Sequence, residues 1–298
     1  MNLLITGAWQ QASEYIEQIE AMGHRVSFLQ YEKDSLDCDY EWVEGVICNG
    51  LFLYHSIEKF TNLKYIQLTS AGMDRIPLDY IKEKGMQVHT AKGVYSIPMA
   101  EYVLGGVLQL YKQAKFFHQN QQNRQWEKHR GLLELYGKTV AVIGCGSVGT
   151  ECAKRFQAFG CQVIGVNRTV RDNLFFNTMV QMDKLNEVLS VADVVVLSLP
   201  LTEDTRYLMN EQRLFHMKEG AVLVNVSRGA VVDEKALIKA LKERLGGAVL
   251  DVFEEEPLSV DSPLWEMEQV ILTPHNSFVG DGCKDRLGKV ILDNLSIV

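Results

Sequence analysis

The sequence predicts an α/β fold with two Rossmann-like or flavodoxin-like domains, each built on a doubly wound parallel sheet, with a cleft between them. Three observations lead to this prediction. The chain has 298 residues, which exceeds the size at which a single hydrophobic core usually stops growing. Short apolar runs typical of strands alternate with helical patterns along almost the whole length. One such run leads directly into a glycine-rich turn and a helical pattern, as in dinucleotide-binding folds.

The first 97 residues contain four apolar runs that predict strands, and these are LLIT at 3–6, GVIC at 45–48, YIQLT at 65–69 and QVHT at 87–90. They indicate one small α/β domain. A helical segment that starts near Gly280 is expected to return to this domain. Residues 277–298 are therefore assigned to it together with residues 1–97, as the substrate domain.

Stronger apolar runs follow a long helical stretch that starts near Ile97. Their continuous Val and Ile residues indicate strands that are buried on both faces of a parallel sheet. They predict a larger dinucleotide-binding domain over residues 98–276. The six runs are TVAVIG (139–144), QVIGV (162–166), DVVVLSL (193–199), AVLVNV (221–226), AVLDVF (248–253) and QVILT (269–273).

The bulk composition disfavours several classes of protein. A formal net charge of −8 repels nucleic acid and anionic membranes, so neither is expected as a partner. The six cysteines form no C-x-x-C pair, and MNLLITGA lacks the basic residues of an export signal. Pro98, Glu101 and Gln109 interrupt the apolar stretch 94–111, which favours a buried helix over a membrane span. These features together predict a cytoplasmic protein.

The turn between TVAVI and the following helical pattern has the spacing G-x-G-x-x-G. Gly144 would allow the tight turn, Gly146 the close approach of a pyrophosphate, and Gly149 the packing of helix on strand. The N–H groups and positive end of that helix would face the diphosphate. Glycines present only for packing are the alternative. The predicted cofactor contacts of this turn are Gly144, Gly146, Ser147, Val148 and Gly149.

The next strand, QVIGV, ends in Asn167, Arg168 and Thr169, where an NAD-selective site usually has Asp or Glu to hold the ribose hydroxyls. An Arg beside two small polar side chains would attract the 2′-phosphate that a carboxylate repels. These three predicted cofactor contacts therefore indicate a preference for NADP(H). If Arg168 is only a solvated loop residue, the site would accept NAD(H) as well.

Three polar residues follow predicted buried strands, which is where open α/β sheets bind their ligands. Arg228 comes after AVLVNVS, Glu256 after AVLDVFEE and His275 after QVILTP. An Arg can hold a carboxylate by two hydrogen bonds, and a His can transfer a proton near neutral pH. A carboxylate nearby would orient the imidazole. Taken singly, each residue also fits a structural role. Arg228 could belong to a surface ion pair, Glu256 to a solvated acidic run, and His275 could be a buried cap.

Five segments together resemble the D-isomer-specific 2-hydroxyacid dehydrogenases over nearly the whole chain, in that family's order and with comparable spacing. They are ELYGKTVAVIGCGSVG, SLPLTEDT, NVSRGAVVDEKAL, LDVFEEEPL and TPHNS. The resemblance implies that Arg228 binds the substrate and that His275 is the catalytic acid/base, which also contacts the substrate. It implies that the catalytic glutamate is the one directly before the proline, Glu256, rather than Glu254 or Glu255.

The resemblance also assigns residues outside this set. The backbone N–H groups of Ala71 and Gly72, in SAGMD, would bind the substrate carboxylate, and Asp251 would face the nicotinamide carboxamide. The helix near Ala100 and Glu101 would help to build the interface of a homodimer. Further contacts in the cofactor groove would come from Leu199, Pro200, Thr205, Val226 and Ser227.

Some features depart from the family pattern or carry no chemistry. Ser198 stands where many relatives have His, and Asn276 follows the predicted catalytic histidine. The polar stretch at 118–130 is expected to be a solvated helix or loop anchored by Trp126. The histidines show no metal-binding spacing, so we expect no metal.

The sequence thus predicts a reductase that uses NADPH to convert a small 2-oxo acid, such as glyoxylate or hydroxypyruvate, to the D-2-hydroxy acid. Two alternatives stay open. One is an NAD-linked dehydrogenase that acts, for instance, on 3-phosphoglycerate. The other is a dinucleotide-sensing scaffold without catalysis, against which the set of Arg228, Glu256 and His275 argues.

Overall fold

The computed structural model describes residues 1–297 and divides the chain into two compact units. The first unit comprises Met1–Tyr95 and Gly280–Val298, and the second comprises Ser96–Val279. The sequence prediction had put the two changes from one domain to the other between residues 97 and 98 and between residues 276 and 277. The first change coincides with the beginning of a long helix at Ser96.

The first unit contains a five-stranded parallel sheet in the order β2-β1-β3-β4-β5. The chain order reverses between β1 and β3, which defines the topological switch point of this sheet. Its strands are β1 (Asn2–Thr6), β2 (Arg25–Leu29), β3 (Gly45–Cys48), β4 (Tyr65–Leu68) and β5 (Gln87–His89). Its helices are α1 (Ile16–Ala21), α2 (Leu78–Glu83) and α9 (Cys283–Leu295), the last numbered in chain order.

The core of the first unit forms on both faces of its sheet. On one face, Leu287, Ile291 and Leu295 of α9 pack in a buried cluster with residues of β1, including Leu3 and Ile5. This packing places the last helix within the first unit, although most of that unit comes from the beginning of the chain.

The second unit contains a seven-stranded parallel sheet in the order β12-β11-β10-β9-β6-β7-β8, with its switch point between β6 and β9. Its strands are β6 (Thr139–Ile143), β7 (Gln162–Asn167), β8 (Thr178–Gln181), β9 (Val194–Leu197), β10 (Val222–Asn225), β11 (Gly247–Leu250) and β12 (Val270–Leu272). Its helices are α3 (Ser96–Tyr111), α4 (Ala114–Asn123), α5 (Ser147–Ala158), α6 (Leu185–Val191), α7 (Glu211–His216) and α8 (Glu234–Glu243).

The central strands of the second unit are fully buried, as their uninterrupted Val-rich sequences predict. Two buried clusters cover the two faces of the sheet. Helix α3 belongs to one of them, and Gly106 allows its close approach to β11, because a Cβ at this position would lie 2.6 Å from a methyl carbon of Val249. Among residues 1–297, no helix has the length and apolar character that crossing a membrane requires.

The structure also differs from the sequence prediction in three places. Strands β2 and β8 were not among the predicted runs. Each lies at the edge of its sheet and is only partly buried, so its apolar pattern is weak. The long helical stretch is two helices, separated where Gln113 adopts φ +53. The prediction that Trp126 anchors the polar stretch is wrong, because this side chain is 96% exposed.

Candidate active site

The glycine turn joins β6 to α5 at the carboxyl edge of the second sheet. Gly144 has φ +96, and a Cβ atom there would lie 2.8 Å from the carbonyl group of Ser198. A Cβ atom on Gly149 would lie 2.1 Å from the carbonyl oxygen of Gly144. The fold itself therefore requires these two glycines.

Gly146 differs from them, because neither its backbone angles nor its neighbours require glycine. It is the N-cap of α5 with φ −77 and ψ −158, and a Cβ here would meet none of the described heavy atoms within 4 Å. As a glycine it also provides no side chain to cap the first N–H groups of the helix. Open space beside these N–H groups and the positive helix end suits a phosphate group. The turn therefore fits the pyrophosphate of a dinucleotide.

Strand β7 ends at Asn167, next to the glycine turn in the sheet, because β7 pairs with β6. The Asn167 side-chain amide donates to the carbonyl oxygen of Thr169 at 3.0 Å, which fixes the turn that carries Arg168. Arg168 and Thr169 are exposed. The end of β7 thus presents a cationic group and no carboxylate.

His275 and Glu256 form a hydrogen-bonded pair. The His275 Nδ1 atom lies 2.9 Å from Glu256 Oε2, and both side chains are a little over one-third exposed. The backbone N–H of Phe253 donates to Glu256 Oε1 at 3.1 Å and so orients the carboxylate. A carboxylate can only accept, so Nδ1 carries the proton and Nε2 is left to exchange a proton with a substrate.

Only one of the three consecutive glutamates contacts the histidine. Glu254 accepts from the backbone N–H of Glu234 and from the Tyr207 hydroxyl, each at 2.8 Å, and so caps the beginning of α8. Glu255 is exposed. The geometry therefore brings Glu256, and neither of its two neighbours, to His275.

Arg228 follows β10 at the same edge of the sheet, where β10, β11 and β12 are neighbours. Its backbone is extended, its carbonyl oxygen accepts from the Asn225 side chain at 3.1 Å, and its Nη1 donates to Ser227 O at 2.8 Å. A Cβ on Gly229 would lie 1.8 Å from the carbonyl carbon of Phe253, so the two loops pack backbone against backbone. Three adjacent strand ends thus supply Arg228, Glu256 and His275.

Comparison with known proteins identifies the family of this chain. The sequence profile of the NAD-binding domain of D-isomer-specific 2-hydroxyacid dehydrogenases matches residues 104–277. The chain belongs to the D-isomer-specific 2-hydroxyacid dehydrogenase family. The 2-hydroxyacid dehydrogenase fold, with two parallel-sheet α/β units, was correctly predicted from the sequence.

Relatives within this dehydrogenase family carry different names. A glyoxylate reductase of Thermofilum pendens is 34% identical over 80% of this chain and 72% of its own length. A D-3-phosphoglycerate dehydrogenase of Methanocaldococcus jannaschii is 36% identical over 81% of this chain, which spans only 47% of that protein. A crystal structure of a family member from Xanthobacter autotrophicus, in complex with NADPH and MES, is 30% identical, covers 99% of this chain and 93% of its own, and has a TM-score of 0.81.

This 2-hydroxyacid dehydrogenase is accordingly an oxidoreductase that acts on the CH–OH group of its donor and uses a nicotinamide dinucleotide. The space at Gly146 and the uncapped beginning of α5 fit such a cofactor. Within residues 1–297, no group of three or more His, Cys, Asp or Glu side chains could hold a metal ion.

Ser198 has a structural role in this dehydrogenase. Its backbone N–H donates to Ile143 O at 2.9 Å, and its Oγ donates to Gly144 O at 2.7 Å. The serine thus fixes the start of the glycine turn from the neighbouring strand β9. Burial raises the pKa of the Cys145 thiol within this turn to about 12, so Cys145 is no nucleophile at neutral pH.

The remaining predicted contacts lie in loops at strand ends. The Thr205 hydroxyl donates to Pro200 O at 2.7 Å, and the Ser227 hydroxyl donates to Asn225 Oδ1 at 2.7 Å. Leu199 and Val226 are buried, 8% and 3% exposed. In the first unit, Ala71 and Gly72 follow β4, and the Gly72 carbonyl accepts from the Ser70 hydroxyl at 2.9 Å.

Asp251 is 1% exposed, and its carboxylate accepts three hydrogen bonds from residues next to His275. One of these donors, Thr273, also contacts Tyr102 of α3. Sequence reasoning identified neither Thr273 nor Tyr102. The only available signal was Thr273 in the TPHNS segment, because Tyr102 lies 171 residues away along the chain.

Proposed function

We propose that this dehydrogenase reduces small 2-oxo acids, such as glyoxylate or hydroxypyruvate, to D-2-hydroxy acids and prefers NADPH. The observation that carries the proposal is the His275–Glu256 pair, which lies at the same sheet edge as Arg228 and the glycine turn. This set comprises a proton donor, the carboxylate that orients it, a cationic side chain to bind the substrate, and a binding site for the pyrophosphate. The glyoxylate reductase relative supports the substrate class.

In the proposed step, His275 Nε2–H protonates the oxygen of the 2-oxo group as the carbonyl carbon is reduced. The nicotinamide supplies the hydride when bound. Glu256 accepts from Nδ1–H and stabilises the imidazolium from which the proton leaves. The Arg228 guanidinium binds the substrate carboxylate and polarises the carbonyl group, so that negative charge develops in a positive environment. The backbone N–H groups of Ala71 and Gly72 in the first unit are proposed to bind a substrate carboxylate.

The preference for NADPH rests on the end of β7. Arg168 is exposed on a turn that Asn167 holds, and the three residues there include no carboxylate to repel a 2′-phosphate. The Xanthobacter relative was crystallised with NADPH. We expect kcat/KM to be higher with NADPH than with NADH, and equal values would contradict the preference without affecting the proposed reaction.

The purified protein should oxidise NADPH in the presence of glyoxylate or hydroxypyruvate. The decrease in NADPH absorbance measures this reaction. Pyruvate and 3-phosphohydroxypyruvate complete the panel, and each substrate is also tested with NADH. The product is analysed by chiral chromatography, where the D isomer is expected from hydroxypyruvate. Absence of turnover with every 2-oxo acid and both cofactors would contradict the proposal.

We also propose that the protein is a cytoplasmic homodimer. Six free cysteines in the described chain suit a reducing compartment. Large apolar side chains are exposed between residues 117 and 136 of the second unit, which is typical of a surface that another chain covers. They are Phe117, Trp126, Leu132, Leu133 and Tyr136. Light scattering should give twice the 33.7 kDa of one chain, whereas a monomer at micromolar concentration would contradict this proposal.

A further inference from the structure

The turn that carries His275 has an unfavourable backbone. His275 adopts φ +51, a left-handed conformation that is unfavourable for a residue other than glycine. Such a conformation persists only where the surroundings hold it. Its own N–H donates to Asp251 O at 2.8 Å and to Thr273 O at 3.0 Å.

The buried Asp251 carboxylate provides the other contacts of this turn. The backbone N–H of Asn276 donates to its Oδ1 at 2.7 Å, and that of Ser277 donates to its Oδ2 at 3.0 Å. These two N–H groups directly follow His275. The position of the imidazole therefore depends on where the Asp251 carboxylate is held.

A chain of two hydroxyl groups also leads to this carboxylate. Thr273 Oγ1 lies 2.5 Å from Asp251 Oδ1, and the Tyr102 hydroxyl lies 2.7 Å from Thr273 Oγ1. The direction of both bonds is fixed, because the carboxylate only accepts and threonine has one proton to donate. Thr273 therefore donates to Asp251, and Tyr102 donates to Thr273. Burial raises the pKa of Tyr102 to about 12, so the phenol keeps its proton at neutral pH.

We propose that Tyr102 and Thr273 are positioning residues that act through Asp251 to hold the His275 turn in its active conformation. Among the described hydrogen bonds, neither side chain bonds the imidazole. The chain of bonds runs from α3 through the end of β12 to the residue after β11, so it fixes the turn relative to the sheet. This inference rests on the proposed function, in which His275 is the proton donor.

The test compares two threonine variants and two tyrosine variants. Thr273→Val keeps the shape and removes the hydroxyl, whereas Thr273→Ser keeps the hydroxyl. Tyr102→Phe removes the second hydroxyl. Tyr111→Phe is the matched control, since this tyrosine lies on the same helix and no described residue makes a hydrogen bond with its hydroxyl. Circular dichroism and thermal unfolding verify that each variant is folded.

We expect Thr273→Val to lower kcat by about tenfold, because the buried carboxylate loses a donor. KM for NADPH should change little, and Thr273→Ser should retain kcat within about twofold, since it restores the bond. Tyr102→Phe should lower kcat by about threefold, and Tyr111→Phe should leave it unchanged. Wild-type kcat in Thr273→Val, or equal losses in the valine and serine variants, would overturn the inference.

A second measurement does not depend on activity. The Cε1–H signal of His275 in a ¹H–¹³C spectrum, assigned with His275→Gln, should move in Thr273→Val and Tyr102→Phe and stay in Thr273→Ser. If wild-type protein reduces no 2-oxo acid, the proposed function fails while this signal still decides the positioning role. An unmoved signal in both hydroxyl-free variants would overturn the inference.

Discussion

At the scale of single residues, the site depends on pairs in which one partner defines the state of the other. Glu256 determines which nitrogen of His275 carries the proton, and Asn167 determines the turn on which Arg168 lies. The chemistry of these residues is readable from their types and positions, because functional groups at strand ends of an open sheet share one edge. Their individual hydrogen-bond partners required the structure.

Replacement of His275 should separate catalysis from cofactor binding. His275→Gln removes the proton donor, and we expect kcat to fall by about 10²- to 10⁴-fold with the Kd for NADPH changed less than about twofold. His118→Gln, an exposed residue of α4, is the control and should behave as wild type. Steady-state kinetics and fluorescence titration of NADPH measure the two quantities. A kcat near that of wild type would show that another group donates the proton.

Replacement of Arg168 should change the choice of cofactor and little else. Arg168→Ala is expected to lower kcat/KM for NADPH by about tenfold, because a charge-assisted bond to the 2′-phosphate is lost. The value for NADH should stay nearly constant. Arg171→Ala, in the same exposed segment, is the matched control. Equal losses with both cofactors would mean that Arg168 does not bind the 2′-phosphate.

At the scale of elements, the glycine turn contains glycines of two kinds. Gly149 is required by the packing of α5 on β6, and Gly146 only by the space it leaves. Sequence spacing predicts the turn because the motif is local. The motif also predicts a packing role for Gly149 and a pyrophosphate role for Gly146, but the contacts that exclude a side chain at Gly149, with Gly144 O and the Ser198 hydroxyl, required the structure.

The two glycines should therefore respond differently to alanine. Gly146→Ala should fold with a Tm close to that of wild type but raise the Kd for NADPH by about tenfold or more, because the added methyl group meets the pyrophosphate. Gly149→Ala should lower the free energy of unfolding by more than about 2 kcal/mol, because its Cβ would lie 2.1 Å from a carbonyl oxygen. Thermal unfolding and cofactor titration distinguish the two cases. Unchanged NADPH affinity in folded Gly146→Ala would contradict the assigned role.

Edge strands and long-range bonds mark the limit of prediction at this scale. The central strands follow from continuous Val and Ile, whereas β2 and β8 bury only part of their surface and leave a weak pattern. The bond between Tyr102 and Thr273 joins residues 171 positions apart, which no local pattern encodes. Trp126 shows the converse error, because an aromatic side chain in a polar stretch does not have to be buried.

At the scale of the whole molecule, we expect a charged residue outside the catalytic groups, Asp193, to contribute to the stability of the second unit. Asp193, just before β9, accepts from Thr139 N–H at 2.9 Å and Lys218 Nζ at 2.7 Å. Burial acts to raise the pKa of Asp193, but these bonds and the charges of Lys218 and Lys138 outweigh burial and lower it. A carboxyl group whose pKa is lowered by folding stabilises the folded state at pH values above its unfolded pKa of about 3.9. This stabilisation is lost as the pH falls through the lower pKa of the folded state.

Asp193→Asn should therefore destabilise the second unit at pH 7, by about 1–2 kcal/mol, with a difference that shrinks as pH falls below about 4. Urea unfolding at pH 7, 5, 4 and 3 measures the free energy of unfolding, so that the range in which the difference should shrink is included. Asp172→Asn, at an exposed site, should match wild type throughout. A difference between Asp193→Asn and wild type that is independent of pH would contradict the electrostatic account.

The assignment of α9 to the first unit has a consequence for how the protein is made. Synthesis proceeds from the N-terminus, so residues 96–279 of the second unit are synthesised before α9. The apolar face formed by Leu3, Ile5 and Ile19 then lacks Leu287, Ile291 and Leu295. The first unit therefore completes its core only after α9 has been synthesised, and until then that face is exposed to chaperones and to aggregation.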